Sequence, residues 1–179
     1  MINGIDLEGL QSAKEGIKAT PSAGLARYGV ALDWQTGTRA KVRTAPMSIG
    51  SEVIPRDFSW VVDEPPQLLG TSAGATPQEL LMSGVGACVM VGFVVAASSL
   101  GVTVRSLTVE VTGGLDLAGF LELRPDAQVK MDGLKYRIRV DCNANDKQLS
   151  EIEKRAVSLS PNAMSLAQGV PVSGNVERV

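Results

Sequence analysis

The sequence predicts an α+β fold in which an antiparallel sheet wraps one long, central, apolar helix. The first observation is the stretch from Thr76 to Val102, which has one acidic residue near its start and no further charge before Arg105. The second is a set of stretches on both sides of it in which apolar and polar residues alternate, as in half-buried strands. The third is their order, strands before the helix and strands with a helix after it, which favours α+β over βαβ units.

Both ends of the central helix are marked by local residue patterns. Thr76 can cap the helix, Pro77 suits the first helical position, and Glu79 completes a Thr-x-x-Glu capping box. Gly101 marks the C-terminal end, since glycine is the residue that most often follows a helix. We therefore predict a helix from Pro77 to Leu100, roughly 36 Å long.

A helix of this length and composition could also span a membrane. Small and polar residues interrupt its interior, at Ser83, Gly84, Gly86 and Gly92. The sequence also lacks the flanking basic cluster and the aromatic belt that accompany membrane spans. We therefore expect the interior helix of a soluble fold and no membrane partner.

The remaining elements follow from periodicity and from Gly and Pro positions. Residues 1–22 are expected to form an N-terminal helical extension, and residues 23–179 the main domain. Before the central helix we predict a helix at Ile5–Ala19, strands at Leu25–Trp34 and Thr38–Thr44 joined by a turn, and a strand at Phe58–Val62. After it we predict strands at Val102–Gly113, Gly133–Asn143 and Val170–Val179, a helix at Asp146–Ser158, and helical turns at Leu117–Leu123 and Asn162–Gln168.

Composition excludes several classes of function. The 179 residues are 44% hydrophobic with a net charge of −2, so there is no basic footprint for nucleic acid. No signal peptide is recognisable at the start, and we expect a cytoplasmic protein. The chain has no histidine, which rules out Ser-His and Cys-His pairs and histidine metal ligands. We expect no metal and no organic cofactor.

Cys88, near the middle of the central helix, is either a small core residue or a reactive thiol. A reactive thiol needs a neighbouring cation, because the helix dipole acts only within the first turn. Arg39, Lys41 and Arg43 share one face of a predicted strand and could supply it. That basic face could equally be a solvated sheet surface.

Small residues recur every four positions along the central helix, at Gly84, Cys88, Gly92 and Ala96. Such a strip allows another backbone to approach closely. It fits either packing against the sheet of the same chain or a symmetric contact with the same helix of a second subunit.

Several short motifs resemble the OsmC/Ohr superfamily of osmotically inducible and organic hydroperoxide resistance proteins. The resemblance covers most of the chain from about Leu25 onward and depends on the order and spacing of the motifs. They are PQLLG at 66–70, TPQELL at 76–81, GAC at 86–88, GLDL at 114–117, Ser160-Pro161, and GVPV at 169–172.

This resemblance implies an OsmC-like fold and an intertwined homodimer, with the long helices inside and two active sites at the subunit interface. It implies that Cys88 attacks the O–O bond of an organic hydroperoxide and that an arginine, best matched by Arg39, stabilises the thiolate. It further implies a glutamate ten positions before the cysteine that orients the arginine. A second cysteine, in a late Cys-Pro motif, then forms a disulfide that a dithiol reduces.

The sequence departs from this pattern at two positions. Gln78 occupies the glutamate position, where Glu79 could substitute although the capping box already uses it. Ser160 stands where the resolving cysteine belongs, and Cys142 lies in another element. Gln78 and Cys88 are roughly 15 Å apart along one helix, so a site that contains both needs a partner subunit.

The leading hypothesis is an OsmC-like, thiol-dependent hydroperoxide reductase of the one-cysteine type, with an external thiol as reductant. Its candidate site residues are Cys88, Arg39, Gln78 and Glu79, and Arg43 and Arg56 remain open as the activating cation. Met82, Met90 and Phe93 are candidate lining residues of the substrate pocket, and such an apolar lining would favour organic hydroperoxides. The alternatives are an OsmC-fold dimer that binds a small apolar molecule without turnover, and a purely structural dimerisation module.

Overall fold

Residues 1–178, the part of the chain that the computed structural model describes, contain five α-helices, two short 3-10 helices and eight strands. The strands form three antiparallel sheets, so the predicted α+β class is confirmed. The chain divides into two compact units. The first contains Met1 and Asp6–Leu81, and the second contains Ile2–Ile5 and the chain from Met82 onward. The proposed boundary after residue 22 stays a prediction.

The first unit contains helix α1 and two three-stranded sheets, of strand order β1-β4-β5 and β2-β3-β6. Its elements are α1 Leu7–Ala19, β1 Ala26–Arg27, β2 Val30–Thr36, β3 Arg39–Thr44, β4 Met47–Ile49, β5 Glu52–Ile54 and β6 Ser59–Val62. The prediction of one strand over Leu25–Trp34 was wrong, because Tyr28-Gly29 separates β1 and β2, which join different sheets. Strands β4 and β5 were not predicted, since three residues are too few to show an alternation.

The hairpin of β2 and β3 separates its side chains into the two predicted faces. Trp34 pairs with Ala40 and Leu32 with Val42 on the apolar face, while Arg39, Lys41 and Arg43 occupy the other. Gly37 forms the turn at a positive φ of 54°, and its carbonyl accepts a hydrogen bond from Trp34 Nε1 at 2.9 Å. On this face the β2 side chains are exposed in the single chain, with Val30 at 56%, Leu32 at 59% and Trp34 at 75%, whereas Val42 of β3 is 3% exposed.

Helix α2 is Pro77–Ser99, one residue shorter than predicted. Its capping box is confirmed, because Glu79 Oε2 accepts from Thr76 N at 2.7 Å and Thr76 Oγ1 accepts from Glu79 N at 3.2 Å. Gly101, at φ 70°, ends the helix, and Val102 N donates to Ala97 O at 2.9 Å. Over residues 1–178 this is the one helix long and apolar enough to cross a membrane, and 33% of its most apolar window is buried.

The second unit packs a two-stranded sheet and two helices on the greater part of α2. Its elements after α2 are β7 Val104–Gly114, α3 Leu117–Phe120, β8 Gly133–Cys142, α4 Asp146–Ser158 and α5 Pro161–Gln168. The predicted strand at Val170–Val179 is wrong over 170–178, where the backbone has no strand partner, and Val179 lies outside the described residues. Val172 and Val176 are 95% and 99% exposed, so their apolar spacing reflects no buried face.

The core of the second unit joins α2 to α4. Val89, Phe93 and Ala97 of α2 are at most 1% exposed and cluster with Ile152 and Ala156 of α4. The expectation that Phe93 lines a substrate pocket was therefore wrong. Its ring fills the space between the two helices.

The strip of small residues on α2 packs against the helices that follow it in the same chain. A Cβ at Gly92 would lie 3.1 Å from Ala156 O of α4, and Asn162 Nδ2 of α5 donates to Gly84 O at 2.8 Å. The strip therefore serves packing within one chain, though on helices rather than on the sheet. The exposed side of α2 is a different line of residues, which includes Ala87 and Val91.

Candidate functional site

Arg39, the first residue of β3, is held by two neighbours in the first unit. Its Nε lies 3.7 Å from Asp63 Oδ2, and its Nη2 donates a hydrogen bond to Thr71 Oγ1. The Arg39 side chain is 32% exposed, whereas Asp63 is 1% exposed. The arginine thus has one end fixed against a buried carboxylate and keeps part of its surface accessible.

Asp63 follows β6 directly and accepts five hydrogen bonds. Thr38 Oγ1 donates at 2.8 Å, Thr71 Oγ1 at 2.6 Å, and the backbone N–H groups of Glu64, Thr71 and Ala73 at 3.0 to 3.2 Å. These bonds, that of the Thr71 hydroxyl foremost, hold the pKa of Asp63 well below its ordinary value although burial acts in the opposite direction. Asp63 is therefore an anion at neutral pH.

The loop that carries Thr71 lies directly against β6 because two glycines permit it. A Cβ at Gly70 would lie 1.8 Å from Glu64 O, and one at Gly74 would lie 2.2 Å from Val61 O. Any other residue at either position would push the backbones apart. The GTSAG segment of the sequence thus places the Thr71 hydroxyl and two N–H groups around Asp63.

Arg43 and Arg56, the other two candidate cations, have different surroundings. Arg43 Nε pairs with Asp33 Oδ2 at 2.9 Å, and both side chains are more than half exposed. The Arg56 guanidinium carbon lies 4.7 Å from the centre of the Phe58 ring. Surface ion pairs of this kind fix a side chain weakly. Among the three arginines, Arg39 is the one that pairs with a buried carboxylate.

Gln78 and Glu79 lie in the first turn of α2. Gln78 is half-buried, and the partners of Arg39 are Thr71 and Asp63 rather than Gln78. Glu79 is exposed and its carboxylate accepts from Thr76 N, as the capping box requires. A role of either residue in orienting Arg39 stays a prediction.

Cys88 is a half-buried free cysteine in the second unit, about three turns into α2. Ser160, at the position of the expected resolving cysteine, is 1% exposed and caps α5, its Oγ accepting from Ala163 N at 3.3 Å. The structure therefore gives Ser160 a structural task. Arg39 belongs to the first unit and Cys88 to the second.

Cys142 is the last residue of β8, within the strand predicted over Gly133–Asn143, and it packs against the core. Cys142 pairs with Val104 on β7. Gly86 of α2 faces Val111 on the same strand, since a Cβ at Gly86 would lie 3.2 Å from Val111 Cγ2. Val104 and Val111 are seven positions apart, roughly 23 Å along a strand. Cys142 and Gly86 therefore meet β7 at positions that are far apart.

The first unit also has an open cavity of about 600 Å³ between the turn after α1 and the sheet β1-β4-β5. Arg27 and Glu52 are the charged residues of its lining, and none of the predicted site residues reaches it. Over residues 1–178 no group of three or more Cys, Asp or Glu side chains is arranged to hold a metal ion.

Comparison with known proteins adds the family context. A sequence model described as OsmC-like protein matches residues 70–174. An OsmC-like protein from Mycoplasma pneumoniae is similar with a TM-score of 0.62 and 18% identity, over 80% of this chain and 89% of that one. An organic hydroperoxide resistance protein OsmC from Legionella pneumophila gives a TM-score of 0.54 and 15% identity, over 78% and 88%. The organic hydroperoxide resistance protein of Bacillus subtilis gives 0.51 and 14%, over 80% and 92%. No curated protein sequence matches.

Proposed function

The chain belongs to the OsmC-like protein family, and on that premise we propose that it reduces organic hydroperoxides through Cys88, in the cytoplasm, with an external thiol as reductant. The observation that carries the proposal is an arginine of the early hairpin, Arg39, held beside a buried carboxylate and still partly accessible. A guanidinium fixed in this way suits a thiolate or a developing alkoxide. The family motif supplies the nucleophile position at Cys88.

The proposed reaction has two stages. The thiolate of Cys88 attacks the terminal oxygen of the hydroperoxide, an S–O bond forms, the O–O bond breaks, and the leaving alkoxide takes up a proton to become an alcohol. Cys88 is then a sulfenic acid. One thiol of a small dithiol reductant attacks the sulfur and displaces water, which gives a mixed disulfide. The second thiol of the reductant then attacks this disulfide, so that the Cys88 thiol is released and the reductant leaves in its oxidised, disulfide form.

A one-cysteine cycle is supported by the position of the remaining candidates for resolution. Ser160 caps α5 and cannot form a disulfide. Cys142 lies opposite Val104 of β7, whereas Gly86 faces Val111, seven residues further along the same strand. Neither residue is suited to resolve the Cys88 sulfenic acid within its own chain.

We further propose that the protein is a homodimer. Two apolar surfaces lack a cover in the single chain, namely the face of Val30, Leu32 and Trp34 and the outer side of α2 around Val91, which is 64% exposed. Soluble monomers seldom expose contiguous apolar patches of this kind. A second copy that covers both surfaces is consistent with the intertwined assembly that the family resemblance implies.

The dimer proposal predicts that sedimentation at micromolar protein gives twice the mass of the chain. Leu32→Glu places a charge on the apolar sheet face and is expected to shift the protein to monomer. Lys41→Glu, on the opposite face of the same sheet, is the control and should remain dimeric. A monomeric unmodified protein at these concentrations would count against the assembly.

The proposed chemistry is tested by mixing the protein with one equivalent of an alkyl hydroperoxide and a sulfenic-acid trap, then locating the adduct by peptide mass. We expect the adduct at Cys88, none at Cys142, and none in Cys88→Ser. If Cys88 does not react with the hydroperoxide, the peroxidase proposal is wrong.

That outcome would favour a second function, a dimer that binds a small apolar molecule without turnover. Its support is the absence of a glutamate at Gln78 and of a cysteine at Ser160. The two proposals share the fold and the dimer, so the trapping experiment separates them directly.

A further inference from the structure

We propose that Asp63 is the positioning residue for Arg39, in the role that the family resemblance assigns to a glutamate at the position of Gln78. This inference rests on the proposed function, since the role of Arg39 in the reaction is itself part of that proposal. Asp63 acts through Arg39 and touches neither the cysteine nor the substrate.

Asp63 and Thr71 together hold the guanidinium of Arg39. Thr71 Oγ1 accepts from Arg39 Nη2 and donates to Asp63 Oδ2 at 2.6 Å. Arg39 Nε is buried, has no hydrogen-bond partner among residues 1–178, and lies 3.7 Å from the same carboxylate oxygen. One edge of the guanidinium therefore faces the buried anion, directly through Nε and through the Thr71 hydroxyl.

The negative charge of Asp63 strengthens its interaction with the Arg39 guanidinium. A buried carboxylate is tolerated when hydrogen bonds and a cation compensate its lost hydration. Five hydrogen bonds fix the Asp63 side chain, and Arg39 is the cation beside it. A carboxylate fixed so firmly is a better anchor for a long arginine side chain than the half-buried amide of Gln78, which cannot attract a cation by charge.

The surroundings also explain why Gln78 is compatible with activity. Asp63 comes from the end of β6 and Thr71 from the following loop, so the anchor does not depend on α2. Replacement of the helix glutamate by glutamine then leaves the arginine with a carboxylate partner.

The test compares Asp63→Asn with Asp33→Asn, its matched control. Both remove one carboxylate that pairs with an arginine of β3, but Asp33 is exposed and pairs with Arg43. The readouts are the rate of Cys88 alkylation as a function of pH, followed by peptide mass, and the rate of the single-turnover reaction with an alkyl hydroperoxide. For Asp63→Asn we expect the midpoint of the alkylation profile to rise by about one pH unit and the peroxide rate at pH 7 to fall about tenfold. Asp33→Asn should change neither.

A second background separates positioning from general damage to the fold. In Arg39→Met, addition of Asp63→Asn should cause no further change in either readout, because the two residues act in one path. Thr71→Val covers the case in which Asp63→Asn does not fold, since Thr71 is exposed and its loss removes the bridge alone. It should shift the profile in the same direction.

The proposal is overturned if Asp63→Asn, folded by circular dichroism, or Thr71→Val matches the unmodified protein in both readouts. An undiminished effect of Asp63→Asn in the Arg39→Met background would overturn it as well. Failure of the proposed function has a different signature, namely no reaction of the unmodified protein with hydroperoxide. The alkylation profile still tests Asp63 in that case.

Discussion

Arg39→Met is expected to slow the reaction of Cys88 with an alkyl hydroperoxide by about 10²- to 10³-fold at neutral pH, the range found when one preorganised charge-stabilising donor is removed from an active site. In the proposed reaction, the guanidinium beside Asp63 would favour the thiolate over the thiol and would stabilise the alkoxide that leaves, which is the physical reason for the expected loss. Methionine retains most of the side-chain volume without the charge. The measurement is the second-order rate constant in a single turnover, followed by loss of free Cys88.

Arg43→Met is the matched control, since it removes the same charge from the same face of β3. Arg43 pairs with exposed Asp33, and its loss should change the rate by no more than about twofold, as expected of a surface pair. Arg39→Lys should give an intermediate rate, because an ammonium keeps the charge but lacks the planar fork. An equal loss in Arg43→Met would show that the long-range charge of the strand matters and that the fixed position of Arg39 does not.

The parts of the fold that could be predicted are those set by local chemistry. Helix α2 begins at Pro77 because Thr76 and Glu79 satisfy each other's backbone groups within four residues. The bounds of α4, Asp146–Ser158, agree with prediction for a similar reason, since Asn145 and Gln148 form a second capping box. Strands β7 and β8 are long enough for their alternation to be unmistakable.

The parts that failed depend on partners distant in sequence. Tyr28-Gly29 splits a continuous β-like stretch because its two halves pair with different strands, β4 and β3. The terminal residues 170–178 contain valines but no strand pairs with them. Phe93 looked like a pocket residue because nothing on its own helix reveals that Ile152 of α4 covers it.

Within the candidate site, too, residues that stand out by type and spacing could be predicted, whereas a residue whose role depends on distant partners could not. Cys88 and the arginines of β3 could be named from residue type and spacing, yet type alone could not choose among Arg39, Arg43 and Arg56. That choice needs Asp63, which sequence reasoning overlooked within an apparent loop of Asp, Glu and Pro residues. Its signal was the polar, glycine-rich segment eight to ten residues later, whose N–H groups and threonine turn back onto the carboxylate.

The largest effect on stability is expected for Phe93→Ala, which should lower the free energy of unfolding by about 3–5 kcal/mol. Phe93 is 1% exposed and packs with Val89 and Ile152, so truncation leaves a cavity that two helices cannot close. Phe120→Ala, the same substitution at a site that is 68% exposed, should change the free energy of unfolding by no more than about 0.5 kcal/mol. Urea denaturation of both variants at equal protein concentration measures the difference. An equal loss of free energy of unfolding in both variants would mean that the α2–α4 contact does not stabilise the helix that carries Cys88. The expected larger loss in Phe93→Ala would indicate that this core fixes the position of Cys88, five residues before Phe93.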